Sequence, residues 1–402
     1  MAVGSSFGDR VRRWAYLGVS GVVALGLTYH VLAIFEVVAF VRHCRRVRPG
    51  GFAPTVTILK PVAAWDGRVY DNLLTFCRQD YPGFRLVIGV KAADVAAGLK
   101  PAPGFASCSS GCEAELVVCD RELAVNPKVS QLLQLEGAIA GDIVVVSDDD
   151  IRVGPDYLAR TIRPFQDPTV GAVTSLYVSR TAPNWAAAVE ALAVNIDFAP
   201  AVLVARRLFG VKFALGASLA LRREILAAVG GFGAVGDYLA DDYELGRQVL
   251  ARGFRLALAP YIVENTLPPM DPVFLFRHQL RWSRTNRVCQ PVGWFFSVIT
   301  QLFAWTLVWA ALRGLDSWGR AVLGGVVAFR LAGAYVINRE LGGLRSFWKY
   351  AWLIPPKDLF STAMWALSFT GRRVHWAGRD YLVFADGRMR PATRRKGPPP
   401  AH

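Results

Sequence analysis

Three consecutive aspartates, Asp148, Asp149 and Asp150, close the apolar run DIVVVSDDD. Two carboxylates about 4 Å apart repel by about 4 kcal/mol at an effective dielectric constant of about 20, so something positive should bind there. Carboxylate oxygens suit Mg²⁺ or Mn²⁺, and such ions usually complete their shell with substrate phosphates. The cluster therefore predicts a site for a divalent cation and a diphosphate. The alternative is a solvated Asp-rich turn that caps the helix near Pro155.

Apolar, β-branched runs alternate with helix-length segments between residues 55 and 265. Fully apolar strands separated by helices predict a doubly wound α/β domain, with a mainly parallel sheet covered on both faces. Ligands of such sheets bind at the carboxyl ends of the strands. The predicted strands are TVTILKP (55–61), RLVIGV (85–90), ELVVCD (115–120), DIVVVSDDD (142–150), VGAVTSL (170–176) and LALAPYIVEN (256–265).

The composition indicates a membrane protein. Of the 402 residues, 53% are hydrophobic and 19% are charged, whereas soluble domains carry about 25% charged residues. A disordered chain is excluded and a purely soluble one is disfavoured. The net charge of +15, with arginines crowded beside the apolar segments, favours anionic lipid headgroups over nucleic acid as a partner. The cysteines are predicted to be reduced thiols, with a disulfide between Cys108 and Cys112 as the alternative.

Apolar segments stand near both ends of the chain. Residues 14–41, whose one charge is Glu36, would reach roughly 42 Å as a helix, against about 30 Å of bilayer hydrocarbon. We interpret them as an uncleaved transmembrane anchor rather than a signal peptide. Two spans are predicted within 291–337, and 347–370 is predicted to be re-entrant or interfacial. Arg330 should face protein or water, because a central arginine costs about 2.5–3.5 kcal/mol in lipid.

Six motifs in a fixed order carry a family resemblance. They are KPVAAWDGRVYDNLLTFCRQDYP (60–82), NPK (126–128), SDDDIRVGPDYL (147–158), FALGASLALRRE (213–224), YLADDYELG (238–246) and HQLRW (278–282). Together they resemble the ceramide glucosyltransferase family, inverting membrane enzymes that use nucleotide sugars and have a GT-A fold. Within it, the chain is most similar to the bacterial branch associated with hopanoid biosynthesis. That branch implies a polycyclic lipid alcohol as acceptor and UDP-N-acetylglucosamine as donor.

The resemblance assigns roles to the aspartates. Asp148 matches the metal and diphosphate aspartate of the family, Asp150 completes its DxD motif, and Asp149 supports them. Asp242 matches the proposed general base, with Asp241 beside it; a positioned carboxylate can take the proton of an acceptor hydroxyl. The alternative for the pair Asp241 and Asp242 is stabilisation of a helix N-terminus by its acidic side chains.

The HQLRW motif places His278 and Arg281 three residues apart, on one face of a helix. Arg281 can pair with diphosphate oxygens, and Trp282 can wall an acceptor pocket at headgroup level. His278 departs from the family, which usually has Gln or Arg there. The alternative is an amphipathic helix at the membrane surface that holds lipid through Arg277, Arg281, Arg284 and Arg287.

Three further residues are candidates for binding the nucleotide. Lys60 and Lys128 belong to the KPV and NPK motifs, although a lysine at a strand end more commonly keeps its charge in solvent. Asp94 stands two residues beyond the place of a family aspartate, which Ala92 occupies here. A histidine of animal ceramide glucosyltransferases is also absent, which favours a lipid acceptor other than ceramide.

The membrane segments and the resemblance together predict the topology. A basic N-terminus, 1–13, precedes the anchor, and a cytosolic catalytic domain covers 50–290. Two full spans then return the basic tail, 371–402, to the cytoplasm, which basic segments prefer and a cytosolic donor requires. We expect a multi-pass protein of the bacterial inner membrane.

The predicted function is transfer of a hexose, glucose or N-acetylglucosamine, from a UDP-sugar to a hydroxyl of a membrane lipid, with inversion. The lipid would be ceramide-like or a hopanoid, and Mg²⁺ or Mn²⁺ the cofactor. One alternative is a processive polysaccharide synthase, for which the few C-terminal segments leave little room for a polymer channel. Another is a catalytically silent membrane scaffold that binds a cation.

Overall fold

A mixed eight-stranded sheet forms the centre of the catalytic region. The computed structural model describes residues 7–48, 50–96 and 112–392, so Cys108 and the basic residues Arg394 and Arg395 lie outside the described residues. The sheet has the order β3-β2-β1-β4-β7-β6-β8-β5. Its strands are β1 (Val56–Pro61), β2 (Phe84–Val90), β3 (Cys112–Val118), β4 (Ile143–Ser147), β5 (Ile151–Arg152), β6 (Val170–Val178), β7 (Ser218–Arg222) and β8 (Arg255–Asn265).

The prediction of a mainly parallel sheet is confirmed. β1, β2, β3 and β4 pair in parallel, as do β6 and β8. β7, which was not among the predicted strands, runs antiparallel between β4 and β6, and the two-residue β5 pairs antiparallel with β8. The predicted strand 142–150 ends at Ser147, so the three aspartates lie beyond it. Their loop is held to β8 because the Asp150 carbonyl accepts from Thr266 N at 2.8 Å.

Helices cover both faces of the sheet, and a separate hydrophobic cluster lies between the sheet and the helices on each face. In chain order they are α1 (Phe7–Arg46), α2 (Gly67–Cys77), α3 (Ala92–Ala96), α4 (Pro127–Leu135), α5 (Tyr157–Ile162), α6 (Trp185–Ala193), α7 (Ala199–Phe209), α8 (Arg223–Ala228), α9 (Asp241–Ala251), α10 (Pro272–Cys289), α11 (Pro291–Phe296), α12 (Leu302–Arg313), α13 (Ser317–Leu341), α14 (Phe347–Tyr350) and α15 (Ile354–Ser368).

Three helices among the described residues are long and apolar enough to cross a membrane. They include α1, whose Arg10–Arg46 part extends the predicted anchor 14–41 at both ends, and α13. The third, Trp185–Phe209, joins α6 and α7 through a π-helical turn and was not predicted as an apolar helix. Its apolar window is 78% buried inside the protein, so it packs mainly on other elements.

The segment predicted as the first C-terminal span is bent. Pro291–Thr300 and α12 meet at 56°, and the pair is either one broken span or a re-entrant loop. Hydroxyl side chains explain the break, because Ser297 donates to the Trp294 carbonyl at 2.7 Å and Thr300 to the Ser297 carbonyl at 2.7 Å. Such local hydrogen bonds compete with helix continuation.

The C-terminal region folds onto the catalytic domain. The structure has a three-stranded antiparallel sheet in the predicted basic tail, formed by β9 (Arg373–Trp376), β10 (Arg379–Val383) and β11 (Met389–Pro391). Met389 N donates to the Asp237 carbonyl at 2.7 Å, and Arg379 pairs with Glu122 at 2.7 Å. The tail sheet therefore packs directly on the catalytic domain.

Tight packing where β1 and β4 meet gives a first prediction. A Cβ atom on Gly141 would lie 2.8 Å from the Thr55 carbonyl oxygen and 2.8 Å from Thr57 N, which are backbone atoms and cannot rotate away. We expect Gly141→Ala to lower the free energy of unfolding by about 1–3 kcal/mol, as overpacking does. Thermal unfolding in detergent, followed by tryptophan fluorescence, measures the change. Gly137→Ala is the control because a Cβ there meets nothing within 4 Å; equal stability of the two variants would contradict the prediction.

Candidate active site

The loop of three aspartates rests on a buried lysine. Lys60 Nζ donates to Ser147 Oγ at 3.3 Å and to the Asp148 carbonyl, and lies 4.0 Å from the centre of the Phe76 ring. Burial lowers the pKa of Lys60 to about 8, although the nearby aspartates oppose this shift. The prediction that Lys60 binds the nucleotide has no support in this geometry, because its side chain is fully buried beneath the loop. Its place here is to position the Asp148 backbone.

The three aspartates have different surroundings. Asp149 Oδ2 accepts from Ala63 N at 2.9 Å, and Asn72 Nδ2 donates to the Asp149 carbonyl at 3.1 Å, so Asp149 fastens the loop to the β1 end and α2. Burial, followed by the charges of Asp148 and Asp149, raises the pKa of Asp150 to about 7. The loop thus concentrates negative charge that its own backbone contacts do not neutralise.

Lys128 joins the aspartate loop to the second acidic pair. It lies in the first turn of α4, whose N-terminus is capped by Asn126. Lys128 Nζ is 2.6 Å from Asp148 Oδ1 and 3.8 Å from Asp241 Oδ2. Burial disfavours its charge, but Asp148, Asp241 and Asp242 outweigh that effect and raise the pKa of Lys128 above its usual value. This lysine was predicted to contact the nucleotide, and in the structure it bridges carboxylates.

Asp241 and Asp242 open α9 at the edge of the same site. Asp241 is buried and its Oδ1 accepts from Asn126 Nδ2 at 3.3 Å. Burial, then the neighbouring Asp241 charge, raises the pKa of Asp242 to about 7, while Lys128 opposes the shift. A Cβ on Gly216 would lie 3.1 Å from Asp242 Oδ2, so glycine keeps the space beside this carboxylate open. Asp242 is thus poised to exchange a proton near neutral pH.

The HQLRW residues form an aromatic wall with a buried acid behind it. His278 Nε2 is 3.4 Å from Glu190 Oε1, and Gln279 donates to Glu190 Oε2 at 2.6 Å. The Trp282 ring stands edge-on to Phe198, with 5.8 Å between ring centres. Arg281 lies over the Trp376 ring at 5.8 Å, so the tail sheet closes this side of the site. Glu190 and Trp376 were not predicted as site residues.

One cavity of about 1610 Å³ collects most of the predicted site. It extends from the sheet edge to the apolar helices α12, α13 and α15, where Leu302, Ile337 and Met364 line it. Lys60 and Asp94 do not line it. The predicted residues that it brings together are Asp148, Asp149, Asp150, Lys128, Asp241, Asp242, His278, Arg281 and Trp282.

Asp120 takes the place at the cavity that was predicted for Asp94. Asp94 lies on the short helix α3, away from the cavity lining. Asp120 follows β3, lines the cavity and accepts from Ala92 N at 2.9 Å. The signal was available in the sequence, because Asp120 ends the apolar run ELVVCD as the three aspartates end DIVVVSDDD.

The acidic loop fits a cation whose shell the substrate completes. Within the described ranges, no group of three or more His, Cys, Asp or Glu residues is arranged to hold a metal ion. Asp148 and Asp150 offer oxygen ligands, and burial, followed by the charges of Asp148 and Asp149, raises the pKa of Asp150. Mg²⁺ is typically bound by one or two carboxylates plus substrate phosphates, which is the donor set available here.

The raised pKa of Asp242 predicts a pH-dependent stability difference. An acid whose pKa rises from 3.8 to about 7 on folding binds more protons in the folded state between these pH values, so its stabilising effect is lost as pH rises to 7. We expect Asp242→Asn to melt at a higher temperature than the unmodified protein at pH 8, with the difference shrinking at pH 5. Melting curves across this range measure it.

Asp71→Asn, on the exposed face of α2, is the control and should melt like the unmodified protein at both pH values. A constant difference between Asp242→Asn and the unmodified protein from pH 5 to pH 8 would refute the raised pKa.

Comparison with known proteins identifies the family. The family model of glycosyl transferase family 21 matches residues 6–389. Ceramide glucosyltransferase 1 of Caenorhabditis elegans is 23% identical over 70% of this chain and 60% of its own length. Ceramide glucosyltransferase 3 of the same organism is 22% identical over 61% of this chain and 53% of its own length. The chain thus spans 60% or less of the length of these two relatives.

Solved structures of glycosyltransferases are also similar. The mannosyltransferase PcManGT of Pyrobaculum calidifontis, solved with GDP-Man and Mn²⁺, has a TM-score of 0.48 and 18% identity, over 87% of this chain and 99% of its own. The glucosyl-3-phosphoglycerate synthase of Mycobacterium tuberculosis, solved with Mn²⁺, UDP-Glc and phosphoglyceric acid, has a TM-score of 0.36 and 17% identity, over 59% and 84%. The predicted family resemblance is confirmed: the chain belongs to glycosyl transferase family 21, and its relatives include ceramide glucosyltransferases.

Proposed function

We propose that the protein transfers a hexose, glucose or N-acetylglucosamine, from a UDP-sugar to a hydroxyl of a membrane lipid, with inversion at the anomeric carbon. One observation carries the proposal: a single cavity joins the acidic sheet edge at Asp148 and Asp242 to the apolar helices at Leu302 and Met364. A site for a soluble acceptor would not need the second end. The names of the curated relatives support a ceramide-like acceptor, and a hopanoid is the alternative lipid.

Asp242 is the proposed general base. The lipid hydroxyl lies in the space that Gly216 leaves beside Asp242 Oδ2, and its proton moves to this carboxylate as the oxygen attacks the anomeric carbon. The bond from that carbon to the diphosphate oxygen breaks on the opposite side, and its electron pair leaves with UDP. Attack and departure on opposite faces invert the configuration.

The leaving diphosphate meets positive charge on the other side of the cavity. Arg281 lines the cavity with its planar guanidinium, which suits paired phosphate oxygens. Lys128 stands at Asp148 and remains protonated across the physiological range, because its pKa is raised. Mg²⁺ or Mn²⁺ held by Asp148 and Asp150 would neutralise charge that develops on the departing diphosphate.

The proposed location is the bacterial inner membrane, with the catalytic domain in the cytoplasm. The tail sheet contacts the catalytic domain, so the chain between α10 and β9 crosses the membrane an even number of times or not at all. A cytosolic UDP-sugar and the basic residues beside the apolar helices, which favour anionic lipid headgroups, support the cytoplasmic side. The lipid then enters laterally, between the α/β domain and the C-terminal helices.

Replacement of the proposed general base distinguishes an enzyme from a catalytically silent scaffold. We expect Asp242→Asn to lower turnover by about 10²- to 10⁴-fold while donor affinity stays unchanged, since a general base acts in the transition state. Purified protein is incubated with a panel of UDP-sugars, bacterial lipids and either Mg²⁺ or Mn²⁺, and new glycolipids are measured by mass spectrometry. Asp71→Asn, exposed on α2, is the matched control. Full turnover by Asp242→Asn would exclude the assigned base, and absence of product from every pair would contradict the proposal.

The pH profile gives an independent test. Because Asp242 must be ionised to accept a proton, kcat/KM should fall as pH drops through about 7. Asp241 raises the pKa of Asp242 by repulsion, so Asp241→Asn should move this limb to lower pH. Lys128 lowers it, so Lys128→Met should move the limb to higher pH. Shifts in the same direction for the two variants would assign the limb to another group.

A further inference from the structure

A buried cluster of charges lies where the cavity meets the membrane helices. Arg330 of α13 donates from Nε to Asp358 Oδ2 at 3.0 Å and from Nη2 to Asp358 Oδ1 at 3.1 Å, and also pairs with Asp197. Lys357 is 2.7 Å from Asp358 Oδ1 and also pairs with Asp197. We call these four residues, Asp197, Arg330, Lys357 and Asp358, the membrane-side cluster. Their network joins α13 and α15 to the helix Trp185–Phe209.

Within the described residues, one donor of this cluster has no hydrogen-bond acceptor. Arg330 is 5% exposed, and its Nη1 is buried without a hydrogen-bond acceptor in the described part of the chain. A guanidinium donor left unmatched in the interior is unfavourable, and such groups in native proteins usually meet a partner. Arg330, Asp197 and Asp358 all line the cavity. A molecule in the cavity can therefore supply the missing acceptor atom.

The net charge of the membrane-side cluster restricts which chemical groups of such a molecule can bind there. Two carboxylates, Asp197 and Asp358, face two cations, Arg330 and Lys357, so the formal charges cancel. A phosphate brought here would add an unbalanced buried charge, which is costly. A neutral oxygen, either an amide carbonyl or a hydroxyl, satisfies Nη1 without that cost. The half-exposed Asp197 carboxylate can also accept from a hydroxyl.

The helix Trp185–Phe209 connects this cluster to the proposed catalytic end of the cavity. Asp197 lies in the π-helical turn Val194–Phe198, and such turns occur frequently at functional sites. The adjacent Phe198 packs edge-on against Trp282. Glu190, which holds His278, precedes Asp197 by seven residues on the same helix, roughly 10 Å along its axis. One helix therefore links the HQLRW wall to the membrane-side cluster.

We propose that the membrane-side cluster is a recognition subsite for the polar part of the lipid acceptor. Arg330 Nη1 donates to a second, neutral oxygen of the lipid, while another hydroxyl of the same molecule reaches Asp242. The inference rests on the proposed lipid glycosylation and adds the residues that recognise a second, neutral oxygen of the acceptor: Arg330, held by Asp197 and Asp358.

Replacement of the guanidinium tests the subsite. Arg330→Lys keeps the positive charge that pairs with Asp197 and Asp358, but it removes the planar guanidinium and with it the donor Nη1. Full-length protein in lipid nanodiscs is assayed with two acceptors, a short-chain ceramide, which carries an amide and a second hydroxyl, and a primary alcohol of equal carbon number. We expect the unmodified protein to prefer the ceramide by more than about tenfold in kcat/KM. Arg330→Lys should raise the KM for the ceramide by about tenfold or more and leave the alcohol unaffected.

Arg320→Lys is the matched control, because Arg320 is exposed on the same helix and should keep the preference of the unmodified protein. Retention of the full preference by Arg330→Lys, or an equal loss with both acceptors, would overturn the inference. Failure of the unmodified protein to glycosylate either lipid, despite binding a UDP-sugar, would instead count against the proposed function.

Photolabelling of the unmodified protein keeps the inference testable if Arg330→Lys does not fold. A ceramide with a diazirine next to its amide should label residues 194–198, 326–334 or 354–361, with excess unlabelled ceramide as competitor. Competable labelling only outside these three segments would overturn the subsite, whether or not the lipid is glycosylated.

Discussion

The site depends on negative charge gathered around one ammonium group. Asp148 comes from the end of β4 and Asp241 and Asp242 from the start of α9, and Lys128 stands between them. Lys128, together with Lys60 and Arg68 near Asp150, does not offset burial and the mutual repulsion of these carboxylates, which raise the pKa values of Asp150 and Asp242. The same excess charge suits a divalent cation that arrives with a diphosphate, and it leaves Asp242 able to take a proton near neutral pH.

Sequence patterns predicted those features that depend only on residues close together in the sequence. Apolar β-branched runs located six of the eight central strands, and the position of the acidic loop after β4 followed from where its apolar run ends. Arg330 was expected to avoid lipid because of its charge, and it faces Asp197 and Asp358. Each of these inferences needs only the types of residues that are neighbours in sequence, together with the free-energy cost of exposing apolar side chains to water or a charged side chain to lipid.

The features that local sequence did not reveal depend on distant parts of the chain. Lys60 was a nucleotide candidate through its KPV motif, and in the structure its side chain lies in the interior, against Phe76 and the Asp148 carbonyl. β7 was missed because it forms only between β4 and β6. The segment 371–402 was predicted as a basic tail without secondary-structure elements of its own being assigned, and in the structure its Trp376 ring lies against Arg281. No local sequence pattern predicts these contacts, because the residues that make them lie far apart in the sequence.

The proposed chemistry requires water to be excluded from both ends of the cavity. Burial is the largest cause of the raised pKa of Asp242, so the base owes its strength to what covers it. The sheet alone provides only an open edge. The cover comes from the HQLRW helix and the tail sheet on one side, where Arg281 lies on Trp376, and from the membrane helices on the other. The helices α12, α13 and α15 are therefore part of the surroundings of Asp242, because Leu302, Ile337 and Met364 line the cavity that contains this carboxylate.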